Sequence, residues 1–211
     1  MENNFTERIN FLKNWLGTGS INVFGLPMSG KDTVGVRLAE DLGAKFLSSG
    51  MMIRAIEQES KTDLTSSGLL VPTDLFYNVV LPYFDRDDVK GFPLILSSVG
   101  RWFGEETVVM EKLEQANHKT ACVILLDLSE QDVISRWEVA QELKDRGARL
   151  DDNNKQTFLK RIQEFKEKTS PVLDKYNELG LLVRVDASPA RNEVYEKVIE
   201  GLYNFAKTQS I

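Results

Sequence analysis

Nine residues near the amino terminus constrain the fold more than any other segment. They read Gly-Leu-Pro-Met-Ser-Gly-Lys-Asp-Thr over residues 25–33, between the apolar stretch 20–24 and a stretch with helical spacing. A glycine-rich turn between a strand and a helix points its backbone N–H groups inward, and the helix N-terminus adds partial positive charge. This arrangement holds phosphate, and Lys31 can follow the charge as it moves during transfer. The segment predicts a phosphate-binding loop rather than a glycine-rich turn with an exposed lysine.

One residue of this loop departs from the general pattern. Ser or Thr usually follows the lysine directly. Here Asp32 stands in that place, and Thr33 comes one position later.

Apolar segments of strand length alternate with segments of helical spacing along the rest of the chain. The predicted strands are 20–24, 44–47, 92–96, 121–127 and 181–185, and the main predicted helices are 5–16, 33–42, 107–116, 153–176 with a kink at Pro171, and 191–206. This alternation is typical of an α/β fold with a doubly wound, five-stranded parallel sheet. Right-handed crossovers place every strand's carboxyl end on one edge, where ligands bind.

Composition narrows the class of protein. The 211 residues favour one domain, and 26 basic against 32 acidic side chains give a net charge of −6, which argues against a nucleic-acid coat or a membrane-surface protein. A single Cys and a single His exclude a disulfide framework and a Cys/His metal cluster. No apolar run approaches the ~18 residues of a membrane span. The first residues lack the features of a signal peptide, so we expect a cytoplasmic protein.

Further motifs follow the phosphate loop in a fixed order. They are Leu-Ser-Ser-Gly-Met-Met-Ile-Arg at 47–54, Gly-Leu-Leu-Val-Pro-Thr-Asp-Leu at 68–75, Leu-Ser-Ser-Val-Gly-Arg at 96–101, Arg-Leu-Asp-Asp-Asn at 149–153, Lys-Arg-Ile at 160–162 and Thr-Ser-Pro-Val-Leu-Asp-Lys-Tyr at 169–176. Each motif alone is weak, but together with the loop their order and spacing resemble the adenylate kinase family of nucleoside monophosphate kinases. The resemblance covers roughly residues 20–206.

The resemblance implies a fold and a reaction. The fold is a P-loop three-layer sandwich in one domain, with a helical insertion for the nucleoside monophosphate at about 48–75 and a short lid at about 137–150. Residues 1–19 form an amino-terminal helical extension. The reaction is phosphoryl transfer from ATP–Mg²⁺ to a nucleoside monophosphate, by an enzyme expected to be a monomer without nucleic-acid or membrane partners. The lid contains no cysteine, which excludes a zinc lid.

The resemblance also assigns residues to roles. Arg54 and Arg101 would grip the acceptor phosphate, since guanidinium groups suit phosphate oxygens. Arg149 and Arg161 would neutralise the migrating group from the lid side, oriented by Asp151 and Asp152. The implied catalytic residues are Lys31, Arg101, Arg149 and Arg161. The implied ATP-binding residues are Gly25, Met28, Ser29, Gly30, Lys31, Asp32, Thr33 and Arg136. The implied acceptor-binding residues are Ser49, Gly50, Arg54, Leu70, Val71, Ser98, Arg101, Glu105, Arg149 and Arg161.

The chain departs from the family where magnesium is concerned. Ser97 replaces an acidic residue that the family uses to hold magnesium-bound water, and no metal ligand is assigned to this protein. Mg²⁺ would then be held mainly by the ATP phosphates and water, since this ion keeps much of its hydration shell. Two alternatives to an active kinase therefore stay open. One is a catalytically weak or inactive nucleotide-binding regulator, and the other is a related small kinase with a different acceptor.

The acceptor base depends on one position. The family's adenine-selecting members carry Gln four residues after the arginine that corresponds to Arg101, and this chain carries Glu105 there. A carboxylate only accepts hydrogen bonds, so it suits guanine N1–H and its amino group better than adenine N1. This predicts weakened selectivity for AMP, with GMP or another amino-bearing base as acceptor. The alternative is that Glu105 and Glu106 cap the following helix.

Overall fold

A five-stranded parallel sheet forms the centre of the molecule. The computed structural model describes residues 2–61, 67–143 and 154–209. The strands are β1 (Ser20–Gly25), β2 (Lys45–Ser48), β3 (Leu94–Ser97), β4 (Thr120–Asp127) and β5 (Leu182–Asp186). They lie in the order β2-β3-β1-β4-β5, and every neighbouring pair is parallel. This confirms the predicted α/β class and all five predicted strands.

Helices cover both faces of the sheet. Their bounds are α1 (Glu2–Leu16), α2 (Lys31–Leu42), α3 (Ser49–Ser60), α4 (Thr73–Val80), α5 (Glu105–Gln115), α6 (Glu130–Leu143), α7 (Lys155–Glu164), α8 (Ser170–Glu178) and α9 (Arg191–Gln209). A 3₁₀ turn at Leu81–Asp85 follows α4. All six residues of β1 are buried, as expected for a central strand with helices on both sides. Within the described ranges, no helix is long and apolar enough to cross a membrane.

The buried apolar side chains form two clusters. The larger one joins β1 and β4 to α1, α2, α8 and α9, and it contains the predicted buried thiol of Cys122. The smaller one lies beneath α3 and α4 and reaches Leu94 and Leu96 of β3. The helical segment after β2 therefore has an apolar base of its own on the sheet.

The predicted long helix 153–176 is interrupted. Its described part consists of α7, a π-helical turn at Phe165–Thr169, and α8, which has Pro171 in its first turn. Proline lacks the N–H of a regular helical hydrogen bond, and its ring clashes with the carbonyl four residues earlier. The wider turn before Pro171 accommodates this loss where the sequence pattern predicted a kink.

Helix α1 packs along α9 with its chain direction parallel to that of α9. Three ring pairs join the two helices in ascending order: Phe5 with Tyr195, Phe11 with Tyr203, and Trp15 with Phe205, at centroid distances of 6.4, 5.2 and 6.1 Å. The start of α1 therefore lies beside the start of α9, which follows the carboxyl end of β5.

Candidate active site

The loop between β1 and α2 is tightly wrapped. Gly25 ends β1, and a Cβ there would lie 2.4 Å from Oγ of Ser29 and 3.1 Å from the carbonyl oxygen of Leu126. Gly30 has a φ of 89° and precedes Lys31, the first residue of α2. Both glycines are required, one by close approach and the other by its left-handed backbone. The loop thus has the strand–turn–helix setting that phosphate binding requires.

One pocket at the carboxyl edge of the sheet, called here the arginine pocket, lies between this loop and the helical segment after β2. It has a volume of about 110 Å³. Its lining residues are Gly25, Pro27, Lys31, Asp32, Ser48, Ser49, Gly50, Ile53, Arg54, Gly68, Leu69, Leu70, Val71, Phe76, Ser97, Ser98, Arg101, Trp102, Glu105 and Arg161. Of the acceptor-binding residues assigned from the sequence, the structure brings together all but Arg149.

Hydrogen bonds join the walls of the arginine pocket. Ser49 donates its hydroxyl to the carbonyl oxygen of Ser98 at 2.8 Å. The indole N–H of Trp102 donates to the carbonyl oxygen of Val71 at 3.2 Å, and the backbone N–H of Leu70 donates to Glu164 at 3.4 Å. The segment around Val71 is therefore held from two sides, by the loop after β3 and by α7.

The electrostatics of the arginine pocket favour an anion. Lys31, Arg54, Arg101 and Arg161 all line it. Burial and the neighbouring cation Arg161 lower the pKa of Arg101 to about 10, although Glu164 and Glu105 act in the opposite direction. Nε of Arg101 is buried and has no hydrogen-bond partner among the residues that the structure describes. A buried, unsatisfied guanidinium N–H is costly, and phosphate oxygens are acceptors that match it.

Glu105 holds the loop after β3 in shape. Its Oε2 accepts the backbone N–H groups of Arg101 and Trp102 at 2.8 and 3.0 Å, and its Oε1 accepts the hydroxyl of Thr73 at 2.8 Å. Glu106 accepts the N–H of Gly104 at 2.7 Å, so both acidic residues satisfy donors around the start of α5. Glu105 also lines the arginine pocket. Its contact with a base stays a prediction.

The two departures from the family pattern meet in space. Ser97 is the last residue of β3 and is 1% exposed, and its hydroxyl donates to Oδ1 of Asp32 at 2.5 Å. The described part of the chain contains no group of three or more His, Cys, Asp or Glu residues arranged to hold a metal. Mg²⁺ beside nucleotide phosphates typically needs only one or two carboxylates, because phosphates and water supply its other ligands. The donor set here, one carboxylate beside the phosphate loop, fits that ion.

A second pocket lies on the other side of the loop, between α2 and the start of α9, and is called the α2–α9 pocket. It has a volume of about 580 Å³. Its lining residues are Met28, Ser29, Gly30, Thr33, Val34, Arg37, Ser135, Arg136, Val139, Ala140, Pro189, Ala190, Arg191, Asn192, Val194 and Tyr195. The lining set includes Met28, Ser29, Gly30, Thr33 and Arg136, which the sequence assigned to ATP. Arg136 donates to the carbonyl oxygen of Ala187 at 2.6 Å.

Sequence reasoning missed the far wall of the α2–α9 pocket. The guanidinium of Arg37 lies 3.9 Å from the ring centroid of Tyr195 and donates to Asn192 at 3.1 Å. Tyr195 donates its hydroxyl to Asp41 at 2.5 Å, and burial together with Asp41 raises the pKa of Tyr195. The missed signal was helical spacing, because Arg37 lies four residues after Thr33 and so on the same face of α2.

Part of the predicted site lies outside the described residues. This applies to Arg149, Asp151 and Asp152, to residues 144–150 of the predicted lid, and to residues 62–66 of the predicted insertion. The described part of the lid range, 137–143, is the end of α6. There Trp137 is buried and stacks on Phe158 at 5.4 Å.

Known proteins similar to this chain share one description. The family model described as adenylate kinase matches residues 23–181. An adenylate kinase of Bartonella tribocorum is 34% identical over 189 residues, covering 85% of this chain and 96% of the relative. One from Thermus thermophilus is 29% identical, covering 84% and 94%. The solved structure of a gluconokinase from Sinorhizobium meliloti 1021 superposes with a TM-score of 0.61 at 17% identity, covering 92% of this chain and 96% of that one, which supports the fold alone.

Proposed function

Because this chain belongs to the adenylate kinase family, it is a phosphotransferase, and we propose that it transfers the terminal phosphoryl group of ATP to a nucleoside monophosphate. The products are ADP and a nucleoside diphosphate. The arginine pocket carries the proposal, because it places three arginines and the phosphate-loop lysine around one cavity. An unsatisfied, buried N–H on Arg101 adds a specific reason for a phosphate there.

The side chains divide the work by position. Arg54 and Arg101 hold the acceptor phosphate, while Lys31 and the backbone of residues 25–33 hold the donor phosphates. Arg161 and Arg149 neutralise charge on the group in transfer, so Lys31, Arg101, Arg149 and Arg161 form the proposed catalytic set. The enclosing walls of the pocket exclude water that would otherwise receive the phosphoryl group. When bound, Mg²⁺ offsets negative charge on the donor phosphates.

The α2–α9 pocket is the proposed site for the donor nucleoside. It begins at Gly30 and Thr33 of the phosphate loop and extends past Arg136 to the start of α9. Arg37, stacked on Tyr195, offers a planar cation against which a base or ribose can pack. The arginine pocket and the α2–α9 pocket share the phosphate loop, so donor and acceptor phosphates would meet beside Lys31. A monomeric, cytoplasmic enzyme stays a prediction.

A coupled turnover assay tests the proposal. The protein is given ATP–Mg²⁺ and, in separate reactions, AMP, GMP, CMP, UMP or dTMP, and ADP formation is followed. We expect turnover with at least one of them, and Lys31→Ala should reduce it by several orders of magnitude with an unchanged thermal melt. ATP binding without turnover on any acceptor would contradict the kinase proposal and favour a nucleotide-binding regulator.

A further inference from the structure

We propose that Asp32 is the carboxylate that positions Mg²⁺ on bound ATP in this protein, in place of an acidic residue at Ser97. The proposal rests on the proposed function, because it concerns the same nucleotide. It assigns a role to the residue at which the phosphate loop departs from its usual sequence.

The parallel sheet explains why these two residues meet. β1 and β3 are neighbours, with Val23 paired to Ser97, so β3 ends beside the loop that leaves β1. Asp32 is the second residue of α2, directly after Lys31. Its carboxylate therefore lies at the loop's inner edge, within 2.5 Å of the Ser97 hydroxyl and on the wall of the arginine pocket. A carboxylate on β3 and a carboxylate on α2 reach one place from opposite sides.

The hydrogen bond orients Asp32 for this role. A carboxylate offers about four lone-pair sites, so accepting one hydroxyl fixes its orientation and leaves it acceptor capacity for metal-bound water. Thr33, the next residue, supplies the hydroxyl that phosphate-loop proteins use toward the metal. Ser97 is buried and cannot carry negative charge, so it serves as the donor in this pair rather than as a second anion.

A purely structural role makes a different prediction. An acidic residue in the first turn of a helix also stabilises that helix through its dipole. In that case Asp32→Asn would weaken ATP binding equally with and without metal. A metal role predicts opposite effects: loss of the gain from Mg²⁺, and metal-free ATP binding that is unchanged or tighter, because a negative charge near the phosphates has been removed.

The experiment measures ATP binding by titration calorimetry, with Mg²⁺ and with a chelator, in the wild type and in Asp32→Asn. The chain offers a matched control, because Ser129 and Asp132 form the same Ser–Asp hydrogen bond at 2.5 Å around the start of α6, outside both pockets described above. We expect Asp32→Asn to reduce the ratio of metal-free to metal-bound dissociation constants at least tenfold. Asp132→Asn should keep the wild-type ratio.

A double variant tests whether the carboxylate can be moved back. Asp32→Ser with Ser97→Asp exchanges the two partners and should recover most of the Mg²⁺-dependent gain that Asp32→Asn loses. An unchanged ratio in Asp32→Asn, or equal weakening under both conditions, would overturn the inference and leave the proposed function standing. A wild type that binds no ATP at all would overturn both. If the double variant fails to fold in a thermal melt, Asp32→Asn alone decides.

Discussion

Arg101 is held in a setting that disfavours its own charge. It is desolvated, it lies near another cation, and its Nε has no protein acceptor in the described part of the chain. We predict that Arg101→Met raises the Tm of the ligand-free protein, because an uncompensated buried charge is removed. The same variant should lose roughly 10²–10³-fold in kcat, the usual cost of removing one group that stabilises developing charge.

Arg86 provides the matched control for this experiment. It is an exposed arginine paired with Asp88 at 2.9 Å, so Arg86→Met should leave the free energy of unfolding within about 0.5 kcal/mol and should not affect turnover. A lower Tm in ligand-free Arg101→Met would show that the guanidinium stabilises the fold rather than strains it.

Glu105 is the residue on which base selectivity is predicted to depend. In Glu105→Gln the amide oxygen can keep the two backbone donors at Arg101 and Trp102, while the amide N–H₂ faces Thr73 and the pocket. The variant then offers a donor where the wild type offers only acceptors. We expect kcat/KM for AMP relative to GMP to rise tenfold or more, since each mismatched group costs about 1–3 kcal/mol.

Glu106→Gln is the control for selectivity, because Glu106 caps Gly104 and does not line the arginine pocket. It should leave the AMP-to-GMP ratio of kcat/KM unchanged. A wild type that prefers AMP by more than a hundredfold, together with no change in Glu105→Gln, would mean that Glu105 serves the loop and not the base.

Local sequence patterns and the family resemblance are enough to predict most residues that line the arginine pocket. Arg54, Arg101 and Arg161 each belong to a motif, and a motif fixes position along the chain. The partnership of Asp32 with Ser97 is not predictable in this way. The two residues are 65 positions apart, and their contact depends on the order of strands in the sheet. The pairing of Arg37 with Tyr195 escapes sequence reasoning for the same reason.

At the scale of elements, α1 precedes the residues that match the family model and yet belongs to the main core. Leu12 is fully buried in that cluster. We predict that Leu12→Ala lowers the free energy of unfolding by about 2–5 kcal/mol, through lost burial and a residual cavity. Lys13→Ala, at the exposed neighbouring position, should change it by less than about 0.5 kcal/mol in the same denaturant titration. Equal stability of the two variants would show that α1 is only loosely attached.

The strands were predictable because buried parallel strands appear as continuous apolar runs bounded by polar turns. The π-helical turn at Phe165–Thr169 was not, because the apolar stripe of α7 and α8 continues across it. Pro171 marked the place but not the form of the interruption. A helix can respond to a missing N–H with a bend or with a wider turn, and packing decides between them.

At the scale of the whole molecule, the segment 67–80 is tied across the arginine pocket to α7 and to the loop after β3. We predict that its amide hydrogens exchange faster than those of β4 in the free protein. A nucleoside monophosphate that serves as acceptor should slow this exchange, because closure over the phosphate excludes water. Exchange in β4 should not respond. Mass spectrometry of the free and bound protein measures both, and equal exchange in the two segments would contradict a moving insertion.

The parallel packing of α1 and α9 decides what an attached label senses. The start of α1 lies next to Tyr195, on the wall of the α2–α9 pocket, whereas the end of α9 is reached only after 19 helical residues, about 28 Å away. A fluorophore joined ahead of α1 therefore stands at the rim of the proposed donor site and reports on its occupancy. A tether joined after α9 leaves from the opposite end of the molecule, so it can fix the protein to a surface with both pockets facing solution.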